Sequence, residues 1–229
     1  MAFKTYLWIE DRKNKAGYIF WKTLTSQLYP DIIVESKKNN TELMKAVKTL
    51  TDETNRYIIV YDNSFDNLQV YQEQKRLKKL INSKNNIFLM DIICFEYILL
   101  EFHYLIDWIY APNDEFLIKR KKAINARNKL ITMLKAGETD YKTLKELIDY
   151  DKNLQNHNIE QLCAKLLFDL TRNTGFEVSK GTIGDCWIQS CCEWKNRQQN
   201  DICGLDTTPL SLTDKMKSIY LPPKKICLN

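Results

Sequence analysis

Acidic residues stand where three apolar runs of the chain give out. Thr5-Tyr6-Leu7-Trp8-Ile9 ends in Glu10-Asp11, and Tyr57-Ile58-Ile59-Val60-Tyr61 ends in Asp62-Asn63-Ser64-Phe65-Asp66. Ile87-Phe88-Leu89-Met90 ends in Asp91, with Glu96 shortly after. Carboxylates brought together repel, and a hard divalent cation with oxygen ligands is the simplest partner that makes their closeness favourable. Mg2+ or Mn2+ held there can polarise a phosphate or generate hydroxide at neutral pH. For any one of these acids, capping of the next helix is the simpler explanation, because an aspartate accepts from the amides of a first helical turn. The set taken whole, with Glu10 in it, points to a metal.

Such convergence needs the runs to be strands of one sheet, all pointing the same way. Five consecutive apolar residues at 57–61 read as a strand buried on both faces, as in a parallel sheet. Helical spacing between the strands predicts helices over 18–28, 42–50 and 68–81, with a further short strand at 31–36. Asn39-Asn40-Thr41 supplies an N-cap for the second helix. Another helix is predicted over 92–108, with Glu96 near its start. Alternation of strand and helix is the mark of a parallel α/β sheet. In an open sheet of that kind, residues just past the carboxyl ends of the strands line the ligand crevice. Past Pro112 the pattern becomes helical, with helices predicted over 114–134, 141–150 and 158–172. The expected organisation is an α/β domain over 1–110 and a basic helical region with a cysteine-rich tail over 111–229.

The balance of 44% hydrophobic and 28% charged residues in a chain of 229 is that of a globular protein. A net charge of +5 is mild, and most of the excess lies beyond residue 110. There Lys119-Arg120-Lys121-Lys122, Arg127, Lys129 and Lys135 follow one another with no acid between them. Such a stripe can neutralise the phosphates of a nucleic acid without reading sequence, although many charge runs are solvated helix faces. Met1-Ala2-Phe3-Lys4 leads straight into a strand-like run, so no secretory signal is expected. The apolar stretch 87–110 is interrupted by acids, so no membrane span is expected. Seven cysteines without a secretory signal suggest a reducing, cytoplasmic setting. Cys186, Cys191, Cys192 and Cys203 are enough for zinc in number, but they include an adjacent pair and form no Cys-x-x-Cys knuckle. They read better as small hydrophobes of a packed segment than as Zn2+ ligands.

Trp8-Ile9-Glu10-Asp11, Val60-Tyr61-Asp62-Asn63-Ser64-Phe65-Asp66 and Cys94-Phe95-Glu96-Tyr97-Ile98-Leu99-Leu100 together resemble a Toprim domain. That family includes topoisomerases, bacterial primases, overcoming-lysogenization-defect nucleases and small maturation ribonucleases. The first segment resembles its glutamate motif. The second resembles its aspartate motif as found in phage-defence branches, roughly Asp-x-Asp-Phe-Asp. The third is similar to a glutamate, aromatic, two-leucine segment of that branch. The resemblance covers about residues 4–110. It implies a Mg2+- or Mn2+-dependent nuclease cleaving DNA or RNA phosphodiesters, as effector of a bacterial anti-phage defence system, and it admits a partner protein of the same system. Glu10 would be a ligand or general acid/base, Asp62 and Asp66 ligands, and Glu96 a further ligand or support. Lys13 or Lys15 would meet a phosphate. Ser64 stands where the family has its second aspartate, and the glycine usual after the second strand is missing from Glu35-Ser36-Lys37-Lys38-Asn39-Asn40. These departures leave open a second reading, a catalytically degraded Toprim-like scaffold that binds nucleic acid or a partner protein.

Overall fold

The computed structural model describes residues 3–63, 65–101, 105–110, 114–148, 150 and 157–172. The run at residue 57 is the centre of the fold. It forms β3 (Arg56–Asp62), whose residues Tyr57 to Tyr61 are all buried. β1 (Thr5–Ile9) lies on one side of it and β4 (Ile87–Ile92) on the other, and β2 (Ile32–Ser36) forms the edge beyond β1. All pairings are parallel, in the order β2-β1-β3-β4. The chain therefore leaves β1 first toward β2 and then returns past it to β3. This is the topological switch point at which open α/β sheets bind ligands.

The side-chain period of two divides the sheet into faces. Leu7, Ile9, Ile58, Val60, Met90 and Ile92 point to one side, where they share a core with α1 (Ala16–Leu28) and α4 (Phe95–Leu100). Trp8, Tyr57, Ile59, Tyr61 and Ile87 point to the other, against α2 (Asn40–Thr49) and α3 (Leu68–Asn82). The expected N-cap forms, with Asn39 Oδ1 accepting from Glu42 N at 2.9 Å.

The later helices are α5 (Leu105–Ile109), α6 (Glu115–Lys119), α7 (Lys121–Lys135), α8 (Tyr141–Ile148) and α9 (Ile159–Thr171). They extend the α1/α4 core rather than enclosing a core of their own, and Leu130, Leu144, Leu162 and Leu166 are fully buried in it.

Two helices are shorter than expected. The predicted helix over 114–134 is broken at Arg120, whose backbone leaves helical geometry (φ −102°, ψ 11°). Its guanidinium reaches the end of α9, donating to Leu170 O at 2.8 Å and to Arg172 O. The predicted helix over 92–108 divides into α4 and α5. The carbonyl of Leu100, at the end of α4, accepts from Arg127 Nε at 2.7 Å. Among the described residues, no helix is long and apolar enough to cross a membrane. Ser64 and the cysteines at 186, 191, 192 and 203 lie outside the described residues.

Candidate functional site

Ile9 is in register with Val60, so Glu10 and Asp11 leave the sheet level with Tyr61 and Asp62. Asp62 is the last residue of β3 and continues the Ile58, Val60 side, the face covered by α4 and α9. Burial raises its pKa well above the ordinary carboxylate range. Glu10, Glu96, Glu160 and Asp11, in that order, raise it further by their charge. Four carboxylates thus bear on Asp62 at the carboxyl end of β3.

Each acid is delivered by local structure. Glu96 is nearly fully buried in the first turn of α4. That helix is capped by Cys94, whose Sγ accepts from Tyr97 N at 3.4 Å. Cys94 faces Cys163 of α9, and both thiols are fully buried. The pair lies within the apolar packing of α4 on α9, which carries Glu96 and Glu160 on the same side of the sheet. Glu160 lies in the first turn of α9, which begins with a capping box between Asn158 and Gln161. Asp11 is placed by a glycine. A Cβ on Gly17 would stand 2.1 Å from Asp11 Oδ2, so the missing side chain lets that carboxylate lie against the first turn of α1.

Asp66 has a different partner. Its Oδ2 accepts from Ile159 N at 2.8 Å, tying the segment after β3 to the start of α9. Its Oδ1 is buried with no hydrogen-bond partner among the described residues. Burial raises its pKa, and the Ile159 amide opposes that rise. Asp66 is therefore joined to the crevice through α9 and Glu160, whereas Glu10 and Glu96 act on Asp62 directly.

Asp91 corrects an expectation. It lies within β4 rather than after it, and the period of two turns it to the opposite face. There it meets Gln74 Nε2 at 2.6 Å and Lys78 Nζ at 2.8 Å. Sequence reasoning passed over Glu160. Its only local signal is the capping pattern Asn158-x-x-Gln161, and nothing in the chain says that this helix returns to the sheet edge.

Lys13 and Lys15 are exposed in the β1–α1 loop, a few residues after Glu10 and Asp11. The stripe expected further on is not one basic face. Lys121 and Lys122 are exposed, and so is Lys119, which pairs with Glu115 at 3.0 Å. Arg120 is committed to the end of α9. Arg127 is buried under α4, and desolvation lowers its pKa to about 10. Arg120 and Arg127 serve the fold because a guanidinium can satisfy helix-terminal carbonyls that have no amide partner.

No family model, curated protein or solved structure matches the chain.

The all-oxygen character of Glu10, Asp11, Asp62, Glu96 and Glu160 suits a hard cation such as Mg2+ or Mn2+ rather than zinc. Among the described residues, no three His, Cys, Asp or Glu side chains already form a group that could hold an ion. The repulsion that Asp62 feels is what a cation would relieve.

Proposed function

We propose that the chain is a Toprim-like, divalent-metal-dependent nuclease acting on DNA or RNA phosphodiesters, serving as effector of a bacterial anti-phage defence system. The reading is supported by one placement: Glu10 and Asp62 stand at adjoining strand ends at the switch point of a parallel sheet, with Glu96 and Glu160 in the first turns of the helices that cover the Asp62 face. Glu10 and Asp62 would hold the cation, with Glu96 and Glu160 as further ligands or supports. A bound Mg2+ or Mn2+ supplies charge neutralisation at the phosphate and a nucleophile at neutral pH. Asp62 retains its proton more readily than an ordinary carboxylate. It must give that proton up to act as a ligand, so cation affinity falls as pH falls. Lys13 and Lys15, exposed in the β1–α1 loop, would receive the non-bridging phosphate oxygens. The defence role rests on the motif resemblance alone.

A second reading is favoured by Asp66, which spends one carboxylate oxygen on the amide of Ile159. A scaffold that has lost its second aspartate and keeps Asp66 for packing would bind nucleic acid or a partner protein without cleaving. The two readings separate when single-stranded and duplex DNA and RNA are incubated with the protein and Mg2+ or Mn2+. The nuclease reading expects cleavage that Glu10→Ala and Asp62→Ala abolish. Cleavage surviving both substitutions, or absent from the unsubstituted chain, removes it.

A further inference from the structure

We propose that the pocket between residues 36–38 and α2 is a phosphate subsite for a nucleic-acid strand that crosses the carboxyl edge of the sheet toward the acids following β1 and β3. The identity of the strand as substrate rests on the function proposed above; the subsite itself stands on different residues. A shallow pocket of about 260 Å³ opens there. One wall is Ser36, Lys37 and Lys38. The other is a single face of α2 carrying Glu42, Lys45 and Thr49 at helical spacing. Lys38 and Lys45 thus line the pocket with Glu42, while the Lys37 ammonium is already paired with Glu35.

Two features make this more than a few surface lysines. Lys38 has φ 71° and, among the described residues, is the only non-glycine with positive φ. A side chain in the left-handed region costs conformational energy that a glycine would avoid. Strained positions of this kind concentrate at binding sites. Lys37 is fixed in place, its ammonium 2.8 Å from Glu35 and 3.9 Å over the ring of Trp8. The corner is also tied to the crevice. Ser36 Oγ donates to the carbonyl of Asp11 at 2.5 Å, and Ser36 is in register with Ile9. Parallel neighbours are ~4.8 Å apart, so the pocket lies one strand over from β1 at the carboxyl edge of the sheet, on the α2 side and across the edge from Asp62. A polyanion approaching five carboxylates needs cations beside them. Lys38 and Lys45 supply these at the β2 edge, as Lys13 and Lys15 do in the β1–α1 loop.

Fluorescence anisotropy tests the subsite with the full chain and labelled single-stranded DNA and RNA oligonucleotides of one sequence, in chelator and over a salt series. Lys38→Gly and Lys45→Ala should each weaken binding several-fold. Each should also reduce the slope of log affinity against log salt by about 0.7 for every phosphate that is no longer neutralised. The melting temperature of Lys38→Gly should not fall, since glycine relieves the left-handed backbone. The DNA and RNA arms tell which strand is preferred. Wild-type affinity and slope in both variants would overturn the subsite, and so would failure of the unsubstituted chain to bind either strand. Reduced binding in the variants of a chain that cleaves nothing would sustain the subsite while removing the nuclease reading.

Discussion

Replacing Asp62 by asparagine is expected to stabilise the chain in the absence of divalent ions, the reverse of the usual result for a partly buried residue. Asparagine keeps the shape and removes the charge that Glu10, Glu96, Glu160 and Asp11 oppose. One carboxylate pair ~6 Å apart at an effective dielectric constant of about 20 costs about 3 kcal/mol. Asp62 is only partly buried, and screening by solvent and salt brings the net expectation to about 1–2 kcal/mol. That corresponds to a rise of about 2–8 °C in melting temperature for a chain of this length. The pH dependence has a definite sign. The pKa of Asp62 is raised in the fold above its ordinary 3.8. The stability of its protonated form is therefore complete below the ordinary carboxylate range and is lost as pH rises through the raised value. Asparagine mimics the protonated form, so its advantage is largest near neutrality and disappears in acid. Thermal unfolding followed by circular dichroism in chelator, at neutral and acidic pH, measures the difference. Saturating Mn2+ should reverse the order, because the unsubstituted chain gains RT ln(1 + [L]/Kd) and the variant gains less. A variant that melts below the unsubstituted chain in chelator at neutral pH would refute the reasoning.

Other expectations concern residues whose roles the fold reassigns. Asp66→Ala removes the acceptor of Ile159 N and should cost about 1 kcal/mol, as loss of a helix-end acceptor does. Asp66→Asn keeps an acceptor and should cost less, and hydrogen exchange of the first-turn amides of α9 should rise only in the alanine variant. Arg127→Met gives up the bond to Leu100 O and should cost about 2 kcal/mol by thermal unfolding, with strand affinity unchanged. Removing Lys121 and Lys122 together should do the opposite. Stability should stay within about 0.5 kcal/mol, while anisotropy shows weaker strand binding and a shallower salt slope.

The sheet was legible because β3 is apolar at every position from Tyr57 to Tyr61, which only a strand covered on both faces tolerates. Glu10, Asp62 and Glu96 were legible because each stands just past an apolar run, and parallel strands bring such positions to one edge. Asp91 was misjudged by a single residue. β4 runs on to Ile92, and one step along a strand moves a side chain to the other face. Glu160 was illegible for a different reason: its position depends on the packing of α9 against α4 around Cys94 and Cys163, residues far apart in the chain. Two members of the basic stripe were illegible for the same reason. Composition reports the charge of Arg120 and Arg127, but their partners, Leu170 O and Leu100 O, are set by tertiary packing.

The central claim is that Glu10 and Asp62 belong to one cation site. Calorimetric titration of Mn2+ into the unsubstituted chain, Glu10→Ala and Asp62→Ala tests it without any substrate. The unsubstituted chain should bind with an affinity that weakens as pH falls, and both variants should lose that binding. No heat of binding at millimolar Mn2+ in the unsubstituted chain, or the same affinity in all three proteins, would contradict it.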